Sequence, residues 1–200
     1  MSAQCGLYRT GNLWAHSKLP ADCQPDIVTM AKPLANGFPI GAIMLNEAVA
    51  SGMTAGMVHF TCTGRLCLTV RVTGTHGTTF GGSPLACAIG QHVVGRLSAP
   101  EFVARVAETS NYLEERLSLL PKWYPGLLQE KVRGRGLIRG IGFKDEGMPG
   151  KIVGLARERG VLLLTAGKDA VRFVPSLNVE KADVDLALDV LEGCLGVASQ

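Results

Sequence analysis

Residues 25–42 read PDIVTMAKPLANGFPIGA, and their reading decides the fold. DIVTMA (26–31) is a short apolar run behind an aspartate, the pattern of a buried strand. GAIMLN (41–46) is a second such run, and Gly37, Pro39 and Gly41 suit a turn joining the two. Lys32 is the one charged side chain from Ile27 to Asn46. A residue before proline is pushed towards extended geometry, so Pro33 sets the direction in which the amine leaves the strand end. Confined surroundings disfavour the charged amine, and a neutral amine condenses with an aldehyde. From the KP pair alone, a surface lysine before a turn is the plainer reading.

Composition bounds the rest. Two hundred residues suffice for one domain with a core or for two small ones. The chain is 46% hydrophobic and 18% charged, with 25 glycines, as in a globular protein rich in tight turns. A net charge of +3, with no run of Lys or Arg, argues against a nucleic-acid partner. No apolar stretch is long enough for a transmembrane helix, so no membrane partner is expected. MSAQCGLYRT is neither a secretory signal nor an Arg- and Ser-rich transit peptide. Six scattered cysteines without a C-x-x-C pair read as reduced thiols of an intracellular protein, and four scattered histidines give no metal spacing.

Residues 1–25 read as loop, NEAVASGM (46–53) as a short helix, and Leu66–Val72 as an alternating strand behind a CTGR turn. Ser83 and Pro84 suit the N-cap and first position of a helix. A second helix is expected from Pro100 to about Leu120, with Val106, Leu113, Leu117 and Leu120 on one stripe. LLQEKVRGRGLIRGIGF reads as two strands around glycines, GKIVGLARERG as a helix, VLLLTA and VRFVPSL as strands. A final helix from Lys181 carries Val184, Leu188, Leu191 and Leu195 on one face. The alternation after residue 100 suggests an α/β layer distinct from the first half.

Two further stretches can carry chemistry. HGTTFGGSP (76–84) runs a hydroxyl- and glycine-rich loop into a capped helix, where free N–H groups favour an anion. Thr78, Thr79 and Ser83 can each donate to a phosphate there; a capped helix with a flexible entry is the plainer reading. In RFVPSL (172–177), Arg172 can present its fork to a carboxylate, or make a surface ion pair on an edge strand.

Taken together, QCGLYRTG, PDIVTMAKPLANGFPIGA, HGTTFGGSPLACA, VRGRGLIRGI and RFVPSL resemble the C-terminal half of the class III pyridoxal-phosphate-dependent aminotransferases. Their order and spacing agree over residues 4–56 and 75–177. The motifs are most similar to the branch acting on acetylornithine; the ornithine, succinylornithine and 4-aminobutyrate branches are the alternatives, and a non-catalytic fragment is another. The resemblance implies an α/β fold: the C-terminal part of the fold type I large domain over residues 1–98, and a small C-terminal α/β domain over 99–200. It implies pyridoxal 5′-phosphate as cofactor, with Lys32 as its Schiff-base lysine and the group that shifts the substrate proton. It places Gln4 near the cofactor's phenolic oxygen, Thr78 and Thr79 at the phosphate of a neighbouring subunit in a homodimer, and Arg172 on the substrate α-carboxylate. Amino-acid and 2-oxo-acid substrates follow, with a role in arginine biosynthesis. The mitochondrial matrix is the expected compartment, otherwise the cytoplasm.

Three departures from the family pattern are apparent. The aspartate that holds the family's pyridine nitrogen protonated would align on Met1. The family's preceding half, with its main phosphate loop and ring-stacking aromatic, has no counterpart in these residues, so weak cofactor binding and impaired turnover are expected. Residues 57–74 interrupt the alignment, as though Gly56 and Gly74 were one glycine. A β-hairpin arm would account for them; a retained intron read in frame is the favoured expectation.

Overall fold

The structure is a computed structural model. It describes residues 5–51, 57–61, 67–71 and 79–199, the second and third of these as backbone. The chain divides into two compact units, Met1–Tyr8 with Asn12–Phe102 and Arg9–Gly11 with Val103–Gln200.

In the first unit, strands β1 (Ile27–Met30) and β2 (Ala42–Leu45) pair antiparallel, with Ile27 opposite Leu45 and Met30 opposite Ala42. Val28 and Met30 point inward, as the period of two requires. They join Leu7, Trp14 and Leu34 in a core that Ile40, Met44, Val94 and Leu97 border. Ile27 and Ile43 face outward and remain 49% and 40% exposed. A short helix α1 (Glu47–Ser51) follows, with the Val49 amide donating to Asn46 Oδ1 in a side-chain N-cap.

Residues 57–74 contain strands β3 (Met57–Thr61) and β4 (Cys67–Arg71), paired antiparallel with Met57 opposite Arg71. The alternating stretch is thus a strand; the CTGR turn lies outside the described residues. Helix α2 (Pro84–Leu97) begins where the Ser-Pro pair places it, but the Ser83 hydroxyl makes no capping hydrogen bond. The Cys87 amide donates to the Ser83 backbone carbonyl instead.

The second unit layers helices on an antiparallel sheet. Its strands are β5 (Arg133–Arg135), β6 (Ile138–Gly142), β7 (Leu164–Ala166) and β8 (Ala170–Phe173), in the order β5-β6-β8-β7. Helix α3 (Pro100–Trp123) buries Val106, Leu113, Leu117 and Leu120, the stripe expected of it. It runs past Leu120 through Pro121, which has no N–H to donate to the Leu117 carbonyl. Helices α4 (Met148–Glu158) and α5 (Lys181–Ala198) complete the layer. Val184, Leu188, Leu191 and Leu195 of α5 are buried with Ile141, Phe143, Ile152 and Val171. Each fully buried aliphatic side chain contributes about 1.5–3 kcal/mol. A reciprocal capping box between Glu180 and Asp183 starts α5.

Candidate active site

Strand β1 ends at Met30, and Lys32 opens a 3-10 turn spanning Lys32–Leu34. The Leu34 amide closes it by donating to the Ala31 carbonyl at 2.7 Å. Leu34 is 2% exposed, and the turn is held down by it. Helix α2 packs above it at Gly90, where a Cβ would stand in ordinary contact, 3.8 Å from the Leu34 carbonyl oxygen and 3.5 Å from Ile40 Cδ1. The expected extended geometry at Lys32 gives way to this turn, since burying Leu34 outweighs the pre-proline preference. Gly37, with φ +109°, then turns the chain back into β2.

The Lys32 side chain is exposed, and no described residue gives it a hydrogen bond or an ion pair. The confined surroundings expected for it are not built by the described residues. Thr79 is also exposed, at the start of a turn that enters α2, with Phe80 84% exposed beside it. The turn closes through the Ser83 amide to the Phe80 carbonyl and uses Gly82 at φ +74°. Gln4, Thr78 and Met1 lie outside the described residues.

Arg172 is the third residue of β8, a strand flanked by β6 and β7, so it stands on an inner strand, and it makes no ion pair with the described residues. Its partner across β6 is Gly140, which puts no side chain against the guanidinium; Leu164 is opposite on β7. The guanidinium Nε is buried and lacks a hydrogen-bond partner. Arg172 borders a cleft of about 140 Å³ that Leu113, Leu163, Phe173, Asp183 and Leu188 also line. An unpaired buried donor costs about 1–3 kcal/mol, and a ligand carboxylate would remove that cost. Lys32 and Thr79 belong to the first unit and Arg172 to the second.

Sequence reasoning attached no role to Arg9, within the CGLYRTG motif. Its Nη1 donates to the Leu137 carbonyl at 3.3 Å and to the Pro175 carbonyl. Burial pushes its pKa below the usual arginine value. The signal available in the sequence was an arginine inside a turn-forming Gly-x-x-x-x-Gly segment, where no local partner could be read. Among the described residues no cluster of His, Cys, Asp and Glu could hold a metal ion, and no helix is long and apolar enough to cross a membrane.

The mixed α/β architecture, with a lysine just past a strand end and an arginine on an inner strand, is that of the fold type I pyridoxal-phosphate transferases. Residues 3–195 match the family model Aminotransferase class-III, and the chain belongs to that family. It is 42% identical over 189 residues to the mitochondrial acetylornithine aminotransferase of Neurospora crassa, covering 94% of this chain and 36% of that one. With the corresponding Saccharomyces cerevisiae protein the identity is 39% over 189 residues, covering 94% and 40%. Among solved structures, N-acetylornithine aminotransferase from Stenotrophomonas maltophilia superposes with a TM-score of 0.76 at 32% identity, over 100% of this chain and 47% of that one. Lysine aminotransferase from M. tuberculosis gives 0.77 at 26% identity, over 98% and 40%. The chain thus spans 36% and 40% of the length of the two curated relatives.

Proposed function

We propose that this chain carries the lysine-bearing part of an aminotransferase that exchanges an amino group between N2-acetylornithine and 2-oxoglutarate in arginine biosynthesis. The observation that carries the reading is Lys32: an exposed amine without a partner among the described residues, at the head of a turn pinned by Leu34. The names and 39–42% identities of the relatives support the acetylornithine branch.

The residues present fit pyridoxal 5′-phosphate in three respects: an amine for its aldehyde, an exposed threonine loop for its phosphate, and an orphaned Arg172 Nε for the carboxylate of its amino-acid partner. When bound, the cofactor supplies an aldehyde and an electron-accepting pyridinium ring. Lys32 Nζ would hold the aldehyde with loss of water and, once released, would move the proton at the substrate Cα. Thr78 and Thr79 would hold the phosphate, in a homodimer that of the neighbouring subunit, and Gln4 would serve the phenolic oxygen. Arg172 forks onto the α-carboxylate common to both substrates, so one clamp serves both half-reactions. By the family pattern residues 1–98 would form the large-domain part and 99–200 the small domain, whereas the compact units break after Phe102 and put Arg9–Gly11 in the second; the mitochondrial matrix is the working compartment.

Borohydride reduction with added pyridoxal phosphate, followed by peptide mass spectrometry, tests the assignment. A covalent adduct on Lys32, lost in Lys32→Ala, is expected; labelling spread over other lysines would overturn it. Comparing acetylornithine with ornithine as donor tests the branch. For residues 57–74 we retain the intron reading: a genomic sequence lacking GT at codon 56, or a spliced transcript keeping the segment, would refute it.

A further inference from the structure

We infer that Arg9 is a positioning residue for Arg172, fixing the chain where it leaves β8. The inference rests on the reading of Arg172 as a carboxylate clamp. The ladder between β6 and β8 ends at the Arg139–Phe173 pair. Beyond it Val174 is 43% exposed and Pro175 has no N–H to offer. The Pro175 carbonyl, three residues from Arg172, is held by Arg9 Nη1.

Arg9 is itself fixed from two sides. The Leu137 amide donates to the Arg9 carbonyl at 2.9 Å, and Arg9 Nη1 returns a bond to the Leu137 carbonyl at 3.3 Å. Gly136, at φ +61°, lies so close that a Cβ there would stand 2.4 Å from the Arg9 carbonyl oxygen. Both acceptors of this part-buried guanidinium are backbone carbonyls, and among the described residues no carboxylate is paired with it. Such a cation is held for where it ties the backbone, since nothing neutralises it. Arg172, by contrast, has a buried Nε without a hydrogen-bond partner, and no described residue hydrogen-bonds its guanidinium. Its direction therefore depends on the backbone from which it springs: the β6 and β7 ladders before it and the Arg9 tie after it.

The test uses the whole 200-residue chain with 15N-labelled arginine and follows the Arg172 Nε–Hε resonance during titration with glutarate. In the wild type the resonance is expected to shift saturably. Arg9→Gln should raise the glutarate Kd fivefold or more, and Arg9→Lys, which keeps the charge and one donor, by less. Arg116→Gln, which removes ion pairs to Asp185 and Asp189 between α3 and α5, should lower Tm while leaving Kd within twofold. Where Arg9→Gln does not fold, Arg9→Lys against Arg116→Gln carries the comparison. A responsive Arg172 with unchanged Kd in the folded Arg9 variants would overturn the positioning role alone. A wild-type Arg172 resonance indifferent to glutarate would overturn the clamp reading, and the inference with it.

Discussion

Arg139 Nη2 donates to Glu114 Oε2 at 2.5 Å, tying strand β6 to the middle of helix α3. The arginine side chain is 6% exposed and the glutamate 50%. Two backbone carbonyls, Gly136 at 3.0 Å and Gly134 at 3.1 Å, take the rest of the guanidinium. The pair is therefore asymmetric. Glu114→Ala leaves Arg139 with both carbonyls and should cost about 1–2 kcal/mol. Arg139→Met strands those carbonyls and should cost about 2–4 kcal/mol. Denaturant midpoints of the two variants measure the difference, and equal losses would contradict the asymmetry.

A second tie predicts a pH dependence. Arg133 and Gln129 both donate to Asp169, which precedes β8. The Arg133 hydrogen bond, then that of Gln129, holds the Asp169 carboxyl below the ordinary aspartate value. A carboxyl depressed on folding stabilises above its unfolded pKa, and that stability is lost as pH falls through the folded value. Tm should decline on acidification from about pH 5, and part of the decline should vanish in Asp169→Asn.

Gly136 is a position where an added methyl is poorly tolerated. Its φ is +61°, and a Cβ would meet the Arg9 carbonyl oxygen at 2.4 Å and Thr10 Cα at 2.6 Å. All of the obstructing atoms are backbone. Gly136→Ala should cost about 2–3 kcal/mol, whereas Gly126→Ala, with nothing within 4 Å, should cost under about 0.5 kcal/mol.

Thiol reactivity should separate the cysteines. Cys23 is exposed and Cys194 buried, and burial raises the Cys194 thiol pKa. The thiolate is the nucleophile. Iodoacetamide should modify Cys23 promptly and reach Cys194 only on unfolding, as peptide mapping would show.

The helices of the second unit were legible because their information is local. Val106, Leu113, Leu117 and Leu120, like Val184, Leu188, Leu191 and Leu195, carry their burial in their spacing. The two strands flanking Lys32 were readable for the same reason. The 3-10 turn at Lys32 was not, because its cause is the packing of Leu34 beneath Gly90 of a helix that begins fifty residues later. Ser83 illustrates the opposite error: the right residue type at a helix start, whose hydroxyl makes no capping hydrogen bond. For the site, Lys32, Thr79 and Arg172 came from motif order. Arg9 stayed invisible because both of its acceptors are remote carbonyls, which leave no trace in residue type.

That remoteness also sets a timetable. The Arg9 contacts span 128 and 166 residues of chain. A ribosome adding about 5–20 residues per second needs on the order of ten to thirty seconds to deliver Pro175 after Arg9 has emerged. Arg9 meanwhile waits in solvent, and closing so large a loop carries an entropic charge that helix formation in the second unit does not. Completion of the second unit therefore waits on contacts between its most widely separated segments. A newborn polypeptide can build α3, α4 and α5 promptly and still lack its final clasp.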